Sequence, residues 1–495
     1  MENRFNLVDE PWIPIADHGR VSLRSVFSDS RYRSLGGNPV QKIALIKLML
    51  SISQAAATPE TEAQWQSLGD DGLAIKCLEY LDKWHDRFYL YGDQPFLQVP
   101  AICEAKEQPY GALLPEVSTG NTTVLSQLQV EREITDADRA LLLLTLMGFA
   151  LSGKKTDNSV VLTRGYAGKR NDKNKPSTGR PGPSIGYMGF LHSFVLGTSL
   201  QKTLWLNLLS HSQIREMGIY PEGLGTPPWE AMPTGEDCPV ARVLRQSMQG
   251  RLIPLCRFCL LSETGLHYSE GIAHPGYKDG VIDTSIAVDN SSKEPKALWV
   301  NPEKRPWREL TALLSFIDQS DCNGFQSWQL RSSLDRARAV EDKFAIFSGG
   351  LRVSSTAGEQ FVSGSDDYVE SVIWIYSELL GQTWFTQVKA EMDAMDDIAR
   401  HLYGRVMGFY KEQSVDASKL ASQATHLFWQ LCERDFQALV DACNGCSDAV
   451  NPLRRRFAGY IQQAFDQFCP RETARQLDAW AKCRPNTSTY LKQGA

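Results

Sequence analysis

Apolar and polar positions alternate across residues 5–28, FNLVDEPWIPIADHGRVSLRSVFS, about the turn Asp17-His18-Gly19. That period predicts a β-hairpin and then a short helix, with Trp12 and Pro14 pinning the first strand. From Asn38-Pro39 the period lengthens: Ile43, Ile46, Met49 and Leu50 share one face of a helix running to Gln54. A second helix is expected over 60–84, broken at Gly69-Asp70-Asp71-Gly72, followed by an aromatic strand over 88–98 with a turn at Gly92-Asp93. Residues 118–133 are polar and aperiodic, a loop or irregular strand, and residues 134–151 form an apolar helix capped by Thr135. Phe194 to Gly197 reads as a strand and Leu200 to Leu209 as a buried segment, while Pro221, Pro227, Pro228, Pro233 and Pro239 exclude regular helix over 220–240. Short strands are expected at Arg251–Leu255, Ile282–Val288 and Ala297–Val300, and a hairpin over 344–364 turns at Ser355-Thr356-Ala357-Gly358.

Beyond Ser365 every stripe has helical spacing. Val369, Val372, Ile373, Tyr376 and Leu380 form the first, behind Asp366 and Asp367 in its opening turn. The segment 383–410, then Leu420 to Leu431, then Leu453, Phe457, Ile461, Ala464 and Phe468 supply three more. The expected fold is α+β: a large mixed domain over 1–364 followed by a C-terminal four-helix bundle over 365–495.

Composition narrows the function. The formal net charge is -6, so nucleic acid can be held only by a local patch and not by bulk charge. The 11 scattered cysteines suit reduced thiols. With Glu2, Arg4, Asp9 and Glu10 near the start and no apolar run of about 20 residues, neither a signal peptide nor a membrane span is expected, and the location is cytoplasmic. The local patch is VLTRGYAGKRNDKNKPSTGRPGPSIGYMGF, residues 161–190, in and just before which Lys154, Lys155, Arg164, Lys169, Arg170, Lys173, Lys175 and Arg180 stand against only Asp157 and Asp172. It predicts an exposed loop whose turn Gly165-Tyr166-Ala167-Gly168-Lys169-Arg170 combines small residues for close backbone approach with cations for phosphate.

In order and spacing, Asn6-Leu7-Val8 through Trp12-Ile13-Pro14, Phe88-Tyr89-Leu90 through Pro95-Phe96, Pro228-Trp229, and Gly349-Gly350-Leu351-Arg352 resemble the CasA family. That family is the large subunit of Cascade, the type I-E CRISPR surveillance complex. The resemblance spans nearly the whole chain. It implies a non-catalytic subunit that reads the short flanking duplex motif, the PAM, in the minor groove and starts duplex opening, while a guide RNA reads sequence by pairing. The implied partners are the other Cascade subunits, the guide RNA, double-stranded target DNA and a helicase-nuclease.

Carried over by position, the family's glycine loop falls on Gly165, Tyr166, Ala167 and Gly168, with Ala167 where the pattern has a third glycine. Its lysine loop falls on Lys278, with Arg257 as the alternative, and its wedge hairpin on Ser355, Thr356 and Ala357, with Gln360 standing in for a glutamine at the tip. Its guide-side loop falls on Val124, Leu125 and Ser126. The bundle is implied to steady the displaced strand, with Arg454, Arg455 and Arg456 on exposed faces.

Cys256-x-x-Cys259 with His267 and His274 has the residue types of a zinc site. Some relatives complete such a site with a second cysteine pair where this chain has Leu142 and Thr145, so no cofactor is expected and the pair reads as reduced, partly buried thiols. No Walker loop, His-Glu-x-x-His or Gly-x-Ser-x-Gly is present. The rival readings are a protein-only scaffold and a metal-dependent hydrolase assembled by folding.

Overall fold

Local capping chemistry sets the first helices. In the computed structural model, which describes residues 2–113, 134–150, 156–176, 189–318, 324–356, 359–361, 368–445 and 447–492, Ile13–Ile15 pairs with Gly19–Val21 and Ser22 caps the helix Leu23–Ser28. Asn38 forms a capping box with Gln41 at the head of Pro39–Ala57. Among the described residues this is the one helix long and apolar enough to cross a membrane, yet it is mostly buried within the protein, with Lys47 on its buried surface paired to Asp283. The helix Glu62–Lys83 is kinked at Gly69, whose φ of 64° needs glycine. Thr135 and Asp138 form a second capping box at the start of Asp136–Gly148.

The contacts divide the chain into two compact units. The first comprises Met1–Pro306, Asn323–Ala337 and Ile346–Ser371; the second comprises Trp307–Cys322, Arg338–Ala345 and Val372–Ala495. The first holds most of the sheet structure. One antiparallel sheet has the order Glu107–Pro109, Gly265–Glu270, Arg257–Leu261, with Cys259 opposite Tyr268 and Glu107 opposite His267. Another pairs Arg4–Asn6 with Tyr89–Tyr91. Phe88, Phe96 and Trp229 pack as a ring cluster, with centroids 5.0–5.9 Å apart, and Trp229 Nε1 donates to the Tyr80 hydroxyl at 2.7 Å. The proline-rich stretch is thereby anchored on the aromatic strand.

Three expected elements are corrected, the first being Ile282–Val288, where the strand is only Val288–Asp289. Arg251–Leu255 is no strand: Gln249–Leu252 is a helical turn, and the strand begins at Arg257. A short apolar run does not by itself distinguish the two, and here the buried Arg251 guanidinium holds the turn by donating to the carbonyls of Arg245 and Pro275 at 3.3 Å each. The helix expected from Asp366 is, where described, the nine-residue strand Tyr368–Tyr376. It lies at the edge of a sheet ordered Tyr368–Tyr376, Lys343–Leu351, His192–Leu196. Val369, Ile373, Ile375 and Ser377 are buried while Val372, Trp374 and Tyr376 are exposed, so the period near its end is two.

The C-terminal helices are Gln382–Lys411, Ser418–Ala442 and Ser447–Phe468, followed by the ten-residue Ala474–Cys483 and the short Ser488–Lys492. Ala421, Ala424, Phe428 and Leu431 on one helix and Leu453, Phe457, Ile461 and Ala464 on the next are buried. Trp384 Nε1 donates to Val440 O at 3.0 Å and Tyr410 OH to Phe468 O at 2.7 Å, which fix the register of the long helices. Arg454 is not an exposed cation: it is buried and forms a double hydrogen bond to Glu391, while Arg456 pairs with Asp435.

Candidate nucleic-acid interface

The described part of the basic loop, up to residue 176, is fastened on either side of an exposed turn, while Lys154, Lys155 and Arg180 lie outside the described residues. Before it, the Asp157 amide donates to Tyr268 O at 2.8 Å, and the Asp157 carboxylate accepts from the Lys106 and Ser159 amides at 2.9 and 3.0 Å. Leu162 and Thr163 donate their amides to the Glu236 carboxylate at 3.1 and 2.7 Å. The chain then turns through Gly165 at φ 78°, with the Tyr166 amide bonded to Thr163 O at 3.1 Å and the Arg170 amide to Ala167 O at 2.9 Å. Arg164, Gly165, Ala167, Gly168 and Arg170 are exposed.

Tyr166 is half-buried and folds back over Gly168, where an added Cβ would lie 2.5 Å from the tyrosine oxygen and 2.9 Å from Cε1. A side chain at Gly168 would therefore have to displace the tyrosine ring, and without one the outer backbone is uncovered. Downstream the loop is tied to itself: Asn171 Oδ1 accepts from the amides of Lys173 and Lys175, each at 3.0 Å, and Arg170 Nη1 donates to Asn174 O at 3.0 Å.

Lys169 departs from the expectation of a solvent-facing cation. Its side chain is 0% exposed, with Nζ 2.7 Å from Glu236 Oε1 and donating to Val160 O and Ser269 Oγ at 2.8 Å each. Burial pulls its pKa below the usual lysine value, against the opposing pull of the Glu236 carboxylate. Arg257 is likewise unavailable: it is 1% exposed and donates to the Tyr268 hydroxyl at 3.2 Å and to Cys256 O at 2.9 Å.

Lys278 is exposed on the turn Tyr277–Asp279, its Nζ 3.6 Å from Glu294 Oε2. The expected hairpin forms between Ser354–Thr356 and Glu359–Phe361, with Ser355 opposite Gln360 and Thr356 opposite Glu359. Gln360 thus lies one rung behind the turn. Ala357, Val124, Leu125 and Ser126 lie outside the described residues.

Phe190 joins two of these features. Its ring meets Tyr277 edge-on at 5.8 Å and stacks on Trp299 at 4.3 Å, and its carbonyl oxygen would lie 2.6 Å from a Cβ at Gly350, just before the hairpin. The glycine loop is tied instead to the paired strands Arg257–Leu261 and Gly265–Glu270, through Ser269 and through Phe258, whose ring centre is 5.6 Å from Lys169 Nζ. Neither Phe190 nor Glu236 stands out in the sequence, because each acts through a partner distant along the chain.

Three comparisons bear on this arrangement. The family model described as CRISPR-associated protein Cse1 matches residues 6–468. The chain belongs to the CRISPR-associated protein Cse1 family. A curated relative, the CRISPR-associated protein CasA/Cse1 of Thermus thermophilus, is 32% identical over 168 residues, which span 30% of this chain and 32% of that protein. The alignment therefore covers about a third of that relative's length. The fold is similar over 99% of this chain to a crystallised CRISPR-associated protein from Thermus thermophilus, with a TM-score of 0.74, 20% identity and 100% of that chain covered. It is similar to Thermobifida fusca Cse1 with a TM-score of 0.76, 18% identity and 99% and 98% of the two chains covered. A chain of a CRISPR RNA-guided surveillance complex gives a TM-score of 0.66 at 16% identity, over 99% of this chain and 100% of that one.

In this Cse1-family chain Cys259 lies on the strand Arg257–Leu261 and Cys256 immediately precedes it, and both side chains are buried. Burial raises both thiols, Cys256 to about 12. His267 Nδ1 is 2.8 Å from Ala105 O, and both ring nitrogens of His274 are engaged, by Arg251 at 3.0 Å and Pro254 O at 2.6 Å. Among the described residues no group of three or more His, Cys, Asp or Glu is disposed to hold a metal ion.

Proposed function

We propose that this chain is the non-catalytic large subunit of an RNA-guided CRISPR surveillance complex, and that it recognises the PAM of target DNA in the minor groove. The observation that carries the reading is the exposed turn Gly165 to Gly168, flanked by exposed Arg164 and Arg170, in a member of the Cse1 family. The minor groove is about 6 Å wide and presents mainly acceptors, which suits backbone N–H groups with little side chain in front of them. The two arginines meet phosphate on either side. Lys278 adds a cation from the turn Tyr277–Asp279, and the hairpin carrying Ser355 and Thr356 acts as the wedge that starts opening. Neighbouring subunits, the guide RNA and a helicase-nuclease are the partners in this reading.

The test is duplex binding by the complex assembled on a guide RNA. Gly168→Leu covers the backbone and displaces Tyr166, so affinity for PAM duplex should fall about tenfold or more, the loss of a groove contact worth roughly 1–3 kcal/mol. Wild-type affinity in a complex that still copurifies with guide RNA would favour a scaffold without DNA contact.

A further inference from the structure

Both ends of the exposed turn are fastened to one carboxylate from elsewhere in the chain. Glu236 is 0% exposed, and its oxygens meet three donors: the Leu162 amide at 3.1 Å, the Thr163 amide at 2.7 Å and Lys169 Nζ at 2.7 Å. The two amides precede Arg164 and the lysine follows Gly168, so the span between them is the part left free. The segment bearing Glu236 is held against the same root, since the Asp237 amide donates to Thr163 Oγ1 at 3.0 Å, and at Gly235 an added Cβ would collide with that hydroxyl and lie 3.1 Å from the Thr163 nitrogen. On the other side Lys169 reaches Ser269 Oγ, which donates to Asp157 O at 2.9 Å and so joins the start of the loop to the strand beneath it.

We propose that Glu236 is a positioning residue for the glycine loop and that Lys169 is its internal tether, so that the loop meets DNA with backbone, Arg164 and Arg170 while Lys169 contacts no phosphate. The proposal rests on the reading of Gly165 to Gly168 as the duplex contact. A buried ion pair is a poor source of net stability, because desolvation opposes the attraction, but removing one partner leaves a charge that the interior does not tolerate. The pair thus fixes where the turn can sit more than it stabilises the fold. Charges around it include Glu270, Asp157 and Arg257, on or beside the same paired strands, with Asp237 and Arg245 towards Tyr166.

The experiment uses the complex assembled on its guide RNA and compares duplexes with and without a PAM over a salt series. Glu236→Gln strands the Lys169 ammonium, and PAM-duplex affinity should fall about tenfold with assembly retained. Lys169→Met combined with Glu236→Gln removes both charges, should recover part of that loss, and should keep the wild-type slope of log affinity against log salt. Arg170→Ala should lower that slope by about 0.9, one phosphate's worth. A slope lowered equally by the double variant would overturn the tether, since Lys169 would then be a phosphate contact. Wild-type affinity in Glu236→Gln would overturn the positioning role. Gly168→Leu separates the two levels: if it impairs binding while Glu236→Gln does not, the clamp alone fails, and if neither does, the duplex-contact reading fails. Should the Glu236 variant not assemble, amide exchange on the wild-type chain decides instead. Leu162 and Thr163 should exchange at least tenfold more slowly than Gly165, and equal rates would overturn the clamp.

Discussion

Arg251 Nη1 donates to His274 Nδ1 at 3.0 Å, which leaves the ring proton on Nε2, aimed at Pro254 O at 2.6 Å. The imidazole is therefore neutral, and burial together with the facing Arg251 and nearby Arg245 holds its pKa well below 6.5. As pH falls through 6.5 the unfolded chain takes up a proton at this position that the folded chain refuses. Stability is thus full above about pH 6.5 and is lost towards acid, by at most about 1.4 kcal/mol per pH unit. Thermal midpoints at pH 7.5 and 5.5 should drop further in the wild type than in His274→Gln; equal drops would show that His274 does not carry the effect.

Lys47 and Asp283 give a second buried pair, at 2.6 Å with side chains 1% and 2% exposed. Asp283 Oδ1 also accepts from the Ser285 amide and hydroxyl at 3.0 and 2.8 Å. Lys47→Met should cost about 3–5 kcal/mol because it strands the carboxylate, and adding Asp283→Asn should recover part of that loss. Urea titration of the four combinations measures the coupling, and additive losses would rule it out.

What the sequence made legible is what is decided locally. Asn38 and Thr135 announce their helices because a cap bonds within three residues, and Gly69 marks a break because its φ is positive. The run Val369 to Tyr376 misleads because Val369, Val372, Ile373 and Tyr376 also fit a helical face. Its pairing in the sheet with Lys343–Leu351, distant in sequence, makes it a strand. The site follows the same division. Glycines and charges of the basic loop are visible in the sequence, but that Lys169 points inward depends on Glu236, and proximity across the fold leaves no local mark on either residue.

Glycines at two helical positions should respond oppositely to alanine. At Gly250 an added Cβ would overlap the Leu244 carbonyl oxygen, so Gly250→Ala must open the backbone and should lower the melting temperature by several degrees or prevent soluble expression. At Gly459, within Ser447–Phe468, nothing lies within 4 Å. There Gly459→Ala should stabilise by up to about 1 kcal/mol through helix propensity. Parallel thermal melts compare them, and a neutral Gly250→Ala would contradict the close packing.

Capture and opening of the duplex should fail separately. Under the proposed function the turn Gly165 to Gly168 holds intact duplex, whereas the hairpin carrying Ser355 and Thr356 keeps unstacked base pairs apart, a step costing roughly a few kcal/mol. Ser355 opposite Gln360 and Thr356 opposite Glu359 make the hairpin a paired ribbon right up to its turn. Replacing Ser355 and Thr356 with glycine softens that ribbon through backbone freedom without touching the loop. Capture should then survive while opening slows, and Gly168→Leu should show the reverse order of loss. A duplex mismatched beside the PAM is already unstacked there, so it should rescue the hairpin variant and leave Gly168→Leu impaired. Binding and permanganate reactivity on matched and pre-melted duplexes read the two steps. Equal rescue of both variants, or of neither, would mean that loop and hairpin act in a single step.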